Sequence, residues 1–316
     1  MKHLGIGSPG IARSLTCLAL AFAACSTASA TEQWTQVGVD KFYLPVGLYR
    51  SQGITTDGKQ WFFSWQYGLE RANDAYASSQ LASIPPSLLG QGLNHIGDID
   101  YANGVIYAAL DETSDYMNPT IALFNASDLS YTGRSYKLTM PQTKDIASWV
   151  AVDAARGFGY GKEWASSANI NVYNLSDWSF SHSIKLQEPL ERIQGAKLRG
   201  DWLYLSSDNA TKSVYRANLL NGYVEELFQL RQPTGTQEIE GLSFRDTPDG
   251  ASLHVLLIHD PDSNEVSPAS TTLNVGLYHY ALAPVPEPAT WVSLTAGLAL
   301  LATLASRRRR PRPVDA

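Results

Sequence analysis

The sequence predicts an all-β domain, because short aromatic and β-branched runs alternate with glycine-rich and Asx-rich turns and helical periodicity is almost absent. Five segments repeat the same order of a small apolar stretch, a glycine turn and an aromatic strand. Their apolar anchors, spaced 45, 53, 44 and 46 residues apart, are Ile54, Ile99, Val152, Ala196 and Leu242. This spacing is typical of four-stranded propeller blades, so the sequence predicts a β-propeller of five blades. A twisted sandwich is the alternative.

The ends of the repeat array predict how the ring closes. The last repeat lacks a fourth strand, whereas the apolar run from Phe42 to Val46 precedes the first repeat. We expect this N-terminal segment to complete the last blade, which removes the open sheet edges. Residues 76–93 are interpreted as a loop and an outer strand. Further strands hidden there would make a sixth blade, and that count stays open.

The N-terminus has the pattern of a signal peptide over residues 1–30. Lys2 and Arg13 precede an apolar run of 11 residues, and Ala28 and Ala30 supply the small residues that signal peptidase requires. The alternatives are a buried helix or a lipidated Cys25. Both cysteines lie in this segment, so we expect the mature protein to have no disulfide and no thiol nucleophile.

Charge is distributed unevenly along the chain. The two ends hold seven of the 24 basic residues and two of the 30 acidic ones, which leaves 17 basic against 28 acidic residues between them. A central region with a formal charge of −11 argues against a nucleic-acid partner, because phosphate contacts need clustered lysine and arginine.

The C-terminus has three features in a fixed order. Pro286, Glu287 and Pro288 are followed by uncharged residues 289–305 and then by a run of four arginines. Seventeen residues at about 1.5 Å each reach the short end of what spans a bilayer, and the arginines hold the far end in the cytoplasm. The sequence therefore predicts a transmembrane helix over 289–305. An ordinary single-span anchor is the alternative.

This order resembles the PEP-CTERM sorting signal over about 30 residues. The resemblance implies that an exosortase, a membrane protease-transpeptidase of Gram-negative bacteria, recognises residues 284–316. It also implies residence in the inner membrane before processing and delivery afterwards to the cell envelope, cell surface or extracellular matrix. Pro286, Glu287 and Pro288 are then recognition residues.

A propeller brings the leading ends of its innermost strands together at one mouth of the central channel. Seven polar residues lie two or four positions before an anchor and form the predicted ligand site: Arg50, Gln52, His95, Arg192, Gln194, Glu238 and Glu240. Guanidinium groups pair well with carboxylates, so an acidic exopolysaccharide is one candidate ligand. The alternative is that these charges only neutralise one another.

Carboxylates around the anchors suggest a second kind of site. Asp98, Asp100 and Asp153 could contribute oxygen ligands to calcium, which takes six to eight of them, although turn capping also explains these residues.

We expect an exported binding protein that engages glycan or protein at the channel mouth, rather than an enzyme. The alternative is a calcium-dependent hydrolase or lyase of the lactonase, phytase-like or polysaccharide-acting kind, with His95 or Glu240 transferring the proton. A structural spacer without a ligand is the third hypothesis.

Overall fold

The computed structural model describes residues 32–283 except 115, 144, 265 and 268. The predicted signal peptide, the Pro-Glu-Pro motif and the predicted helix at 289–305 lie outside the described residues. Within the described residues, no helix is long and apolar enough to cross a membrane.

The described chain forms five antiparallel sheets of four strands each, and their innermost strands contact one another in a ring. The first blade contains β2 (Ile54–Thr56), β3 (Trp61–Trp65), β4 (Gly68–Ala72) and β5 (Ser78–Ser83). The second contains β6 (His95–Ala102), β7 (Val105–Asp111), β8 (Thr120–Asn125) and β9 (Tyr131–Lys137). The third contains β10 (Ala151–Asp153), β11 (Phe158–Gly161), β12 (Ser167–Asn174) and β13 (Phe180–Leu190). The fourth contains β14 (Ile193–Arg199), β15 (Trp202–Ser207), β16 (Ser213–Asn218) and β17 (Val224–Gln229). The fifth contains β18 (Thr236–Phe244), β19 (Leu253–Asp260), β20 (Asn274–Leu282) and β1 (Trp34–Tyr43).

The five-blade prediction is confirmed, and every predicted anchor lies on an innermost strand. The predicted closure also holds: β1 pairs with β20 from Trp34 opposite Leu282 to Tyr43 opposite Asn274, as the outer strand of the fifth blade. A 3₁₀ helix, Val46–Arg50, connects β1 to the first blade. Residues 76–93 contain β5 and a four-residue helix, α1 (Pro86–Leu89), and add no sixth blade.

Turn chemistry explains where the strands end. Asn103 and Gly104 both have positive φ, 51° and 82°, and join Ala102 to its partner Val105. That is the two-residue hairpin turn that an Asn-Gly pair favours. The Asp-Leu and Asp-Trp turns of the second and third blades place the buried side chains of Leu129 and Trp178 under the sheet, each at φ 55°.

The apolar core is divided into five clusters, one between each pair of neighbouring blades. The cluster between the fifth and first blades includes Phe42, Ile54 and Leu277, so β1 contributes to the core as well as to the sheet. Successive side chains of a strand point alternately towards the two neighbouring blades, which explains why both faces of the inner strands are buried.

The innermost strands approach so closely that glycine is required at the axis. A Cβ on Gly241 would lie 2.6 Å from an oxygen of Asp98 and 2.8 Å from the Cα of Gly53. A Cβ on Gly195 would lie 2.6 Å from the Cα of Gly241. The N–H of Gly241 donates to the Gln52 carbonyl over 2.8 Å, which joins the last blade to the first.

We predict that Gly241→Ala lowers the free energy of unfolding by about 1–3 kcal/mol, because the added methyl group has no space at the axis. Urea denaturation measures the effect. Gly90→Ala is the control, since Gly90 has φ −64° at the end of α1 and its Cβ would come no closer than 3.3 Å to another atom. Equal stability of the two variants would contradict the close packing at the axis.

Candidate functional site

A pocket opens where the leading ends of the innermost strands meet. Its volume is about 290 Å³, and we call it the mouth pocket; its lining residues are Gln52, His95, Tyr116, Asp145, Ile146, Trp164, Gln194 and Glu238. Four of the seven predicted ligand-binding residues therefore line one pocket. The other four lining residues come from loops: Tyr116 and Trp164 lie between the second and third strands of a blade, and Asp145 and Ile146 lie in the connection from the second blade to the third.

Bulges in three innermost strands direct side chains into this mouth. The strand register shifts between Ile96 and Ile99, between Ile193 and Gly195, and between Ile239 and Leu242. A bulge adds one residue to a strand and turns the neighbouring side chains, and bulges are common beside binding sites.

Arg50 does not reach the mouth. Its guanidinium donates to the Glu70 carboxylate over 2.7 and 2.8 Å and to the Tyr76 carbonyl over 2.7 Å, and it is 1% exposed. The ring of Phe42 lies 4.3 Å away. The reason is local: Arg50 ends a 3₁₀ helix, so the alternation of a strand does not apply four residues before the anchor.

Arg192 also lies outside the lining. Its φ of 51° breaks the strand pattern, and its guanidinium pairs with the Asp208 carboxylate and donates to the Asp208 carbonyl over 2.8 Å. The guanidinium carbon lies 5.2 Å from the centre of the Trp164 ring, so Arg192 supports a wall of the pocket. Of the described lining residues, two are acids and none is arginine or lysine.

His95 is oriented by a buried carboxylate. Its Nδ1 lies 3.1 Å from Oδ1 of Asp111, and the other Asp111 oxygen accepts the N–H of Ala147 over 3.0 Å. Burial raises the pKa of Asp111, and the hydrogen bond to His95 opposes that rise. An ionised carboxylate only accepts hydrogen bonds, which assigns the proton to Nδ1 and leaves Nε2 as an acceptor in the neutral ring.

Two loops hold the Trp164 side of the pocket together. Asp145 accepts the backbone N–H of Ile146 over 2.8 Å and that of Trp164 over 2.9 Å. A carboxylate that accepts two backbone N–H groups fixes both loops. Asp145 therefore fixes the Trp164 backbone, and the Arg192 guanidinium lies over its ring.

Glu238 and Glu240 take different positions although both lie on β18. Glu238 lines the pocket, and its Oε1 accepts from the Gln194 amide over 2.9 Å. Glu240 is 1% exposed, and its Oε1 has no hydrogen-bond partner among the described residues. Burial raises the pKa of Glu240 well above its usual value, and the charges of Glu238 and Asp208 raise it further. The surroundings of Glu240 thus favour its neutral carboxyl form.

Each of the three aspartates predicted to bind metal has partners within the protein, and the carboxylates of Asp98 and Asp100 both lie near the Lys197 amine. Asp98 accepts from the Lys197 amine over 3.0 Å, Asp100 accepts backbone N–H groups over 2.8 and 2.9 Å, and Asp153 pairs with Arg156. Burial raises the pKa of Asp98 to about 6 although Lys197 opposes the rise. No group of three or more histidine, cysteine, aspartate or glutamate residues in the described part of the chain could hold a metal ion. The three carboxylates are thus engaged by cations and backbone N–H groups, and calcium binding by them stays a prediction.

Asp98 also closes the channel halfway. Its second carboxylate oxygen accepts the N–H of Ile54 over 3.2 Å, and the first also accepts the N–H of Ala196 over 3.1 Å. A separate pocket of about 170 Å³ lies beyond it, lined by residues that include Thr55, Asp100 and Lys197. The mouth pocket is therefore a blind depression.

The described fold is a five-bladed β-propeller whose mouth carries a small polar and aromatic pocket. Residues 284–310 match the PEP-CTERM protein-sorting motif, so the chain carries the sorting signal that its C-terminal pattern predicts. The motif implies export, processing by an exosortase and a location at the envelope or surface of a Gram-negative cell. No curated protein matches the sequence.

Solved structures share only distant similarity with the chain. The structure of apo AztD from Citrobacter koseri is 15% identical over 58% of this chain and 49% of that chain, with a TM-score of 0.34. A crystal structure of the same protein is 16% identical over 58% and 48%, again with a TM-score of 0.34. Hydrazine synthase from Kuenenia stuttgartiensis is 14% identical over 75% and 67%, with a TM-score of 0.41. The match spans about half the length of the AztD chains.

We predict that Glu240→Gln stabilises the protein at neutral and alkaline pH and not at acid pH. The folded state keeps a proton on Glu240 that the unfolded chain loses above about pH 4.5, so stability falls as the pH rises from there through the folded pKa. Each unit by which the pKa is raised corresponds to about 1.4 kcal/mol. Glutamine already occupies the equivalent position in the first and fourth blades, as Gln52 and Gln194.

Urea denaturation across about pH 4 to pH 8 tests this prediction against Glu226→Gln, which removes an exposed carboxylate. The gain in stability from Glu240→Gln should grow with pH, whereas the control should show no such trend. A gain independent of pH would mean that Glu240 is ionised in the folded protein.

Proposed function

We propose that this exported propeller is a cell-surface or extracellular-matrix binding protein and that its mouth pocket binds neutral glycan. The observation that supports the proposal is the combination of Trp164 and Tyr116 with two glutamine amides and two carboxylates in one blind pocket. Sugars present apolar C–H faces beside hydroxyl groups, so a site for them needs aromatic surface and groups that both donate and accept.

The hydrogen bonds within the pocket leave such groups open. The Gln52 side chain makes no hydrogen bond in the described part of the chain, so its amide can donate to and accept from a ligand. Gln194 uses its amide nitrogen for Glu238, which leaves its oxygen to accept. The volume, about 290 Å³, is at the lower end for small-molecule sites and fits a short stretch of a chain rather than a large ligand.

The charge of the lining favours a neutral glycan over an acidic one. Arg50 and Arg192 are paired with Glu70 and Asp208, while Asp145 and Glu238 line the pocket. A carboxylate on the ligand would meet carboxylates of the same sign, which costs free energy in a partly buried site.

We predict that neutral oligosaccharides bind to the protein and that Trp164→Ala weakens this binding about tenfold, through the loss of the aromatic wall. Titration calorimetry measures both. Tyr223→Ala is the matched control, because Tyr223 is exposed in the turn before β17, on the face opposite the mouth. Preferential binding of uronic-acid oligosaccharides would contradict the proposed charge selection, and a loss of binding in Tyr223→Ala would place the site elsewhere.

A second candidate, a polysaccharide hydrolase or lyase, is favoured by the His95–Asp111 pair. A histidine held by a carboxylate through Nδ1 is the arrangement of a general base, with Nε2 free for the substrate. If the protein turns over a bound oligosaccharide, His95→Gln should lower the rate at least about 100-fold while binding persists. Product analysis by mass spectrometry, with and without calcium, tests this. If the glycan is not degraded under either condition, the hydrolase or lyase function is rejected and the binding function remains.

A further inference from the structure

A second pocket, larger than the mouth pocket, lies away from the mouth. It has a volume of about 530 Å³ and lies on the opposite face, where β1 and β20 of the fifth blade meet the first blade. We call it the seam cavity. Trp61, Tyr76 and Pro248 contribute to its walls, and its charged lining consists of Asp40, Asp74, Arg245, Asp246, Asp249 and His279. Its volume is within the range of small-molecule sites, about 300–1,000 Å³.

The charges in the seam cavity do not balance. Nη2 of Arg245 donates to the carboxylate of Asp74 and to the carbonyl of Lys59, whereas its buried Nη1 has no hydrogen-bond partner among the described residues. The guanidinium carbon lies 4.7 Å from the centre of the Trp61 ring. Asp246 and Asp249 lie on the same loop as Arg245 and bring further negative charge. The described bonds of Asp74 and Asp249 use only Oδ1 of each carboxylate.

A chain of hydrogen bonds below the cavity accounts for its second cation. Nε2 of His254 lies 2.7 Å from the Arg245 carbonyl, its Nδ1 lies 2.6 Å from Nδ1 of His279, and Nε2 of His279 lies 3.0 Å from Asp40. Carbonyl and carboxylate oxygens accept, so this pattern assigns a neutral His254 and a His279 that donates from both nitrogens. Burial lowers the pKa of His254 to about 4, in agreement with a neutral ring. Two cations then face four carboxylates.

The carboxylates and the histidine around the cavity are arranged to bind an organic cation and not a metal ion. Both nitrogens of His279 are engaged, and the carboxylates are distributed over three chain segments rather than gathered at one point. Among the residues that the structure describes, no cluster has the ligands for a metal. A protonated amine carries several N–H donors and can satisfy carboxylates that lie apart.

The aromatic wall of the cavity is preformed. Tyr76 has φ 57°, and the guanidinium of buried Arg50 holds its carbonyl over 2.7 Å. Asp40 accepts a hydrogen bond from its hydroxyl group. The Tyr76 ring also stacks on Trp61, with 6.2 Å between the ring centres, so the two rings form a fixed aromatic wall beside the carboxylates. Arg50, expected at the mouth, thus positions a residue of the seam cavity.

We propose that the seam cavity binds an organic cation that carries a protonated primary amine. Such an amine occurs on amino sugars and on alkyl polyamines, and the two sources need separate probes. The site is independent of the mouth pocket, because it lies on the opposite face and shares no lining residue with it.

The test uses the full chain in detergent. The chain carries Trp164→Ala, which weakens ligand binding at the mouth pocket. Calorimetric titration with glucosamine, spermidine and N-acetylglucosamine compares two amines with a neutral sugar. We expect glucosamine or spermidine to bind and N-acetylglucosamine not to bind. Glucosamine alone would identify an amino sugar as the ligand, and spermidine alone a polyamine. Absence of binding by both amines, or equal binding of glucosamine and its N-acetyl form, would overturn the proposal.

Charge variants locate the site. Asp246→Asn with Asp249→Asn should weaken amine binding about tenfold and leave glycan binding at an intact mouth unchanged. Asparagine keeps the Oδ1 that caps the loop at Asp249, so the fold is retained. The control, Asp128→Asn with Asp177→Asn, removes the same charge from exposed turns of the second and third blades. Equal loss in both double variants would show an effect of net charge only and reject the cavity as the site.

Discussion

The rest of the molecule depends on the crowding of five strands around the carboxylate of Asp98. Three other innermost strands come so near the axis that Gly53, Gly195 and Gly241 leave no space for a side chain. Asp98 fills the remaining space and accepts hydrogen bonds from two of those strands and from Lys197. A carboxylate in such a place is costly unless it is fully paired, because removing it from water opposes its charge. The same interactions that close the ring therefore divide the channel into two separate ends.

Because Asp98 divides the channel, the residues at each end of it determine what that end can bind. Above Asp98, the inner ring holds buried Glu240, whose raised pKa favours the neutral carboxyl form, and Glu238 accepts from the Gln194 amide, so the floor of the mouth is polar. Arg50 and Arg192 are paired with Glu70 and Asp208. The proposed preference for neutral ligands rests on this pairing, not on the number of arginines in the sequence. Counting charges at predicted ring positions could not show this.

The sequence predicted the part of the molecule that is governed by local periodicity. The anchors and the closure by the segment around Phe42 follow from alternation and turn residues, which act within a few positions of the chain. Gln52, His95, Gln194 and Glu238 were found because they lie on or next to strands whose direction is fixed. Arg50 and Arg192 were misplaced because a 3₁₀ helix and a left-handed residue break the alternation there. Trp164 and Tyr116 were missed because they lie in loops, although loops between second and third strands must return to the mouth.

The course of the last blade relates the two faces to the sorting signal. β18 starts at the mouth, so β20 also starts there and ends at Leu282 on the opposite face, where Ala283 donates to the Gln33 carbonyl over 2.8 Å. The sorting motif begins one residue later. Any attachment made through that motif therefore starts from the face that carries the seam cavity and leaves the mouth pocket on the far side. A blind pocket that faces away from its attachment point is accessible to long polymers, because a chain that cannot pass through the axis can still bind across the mouth.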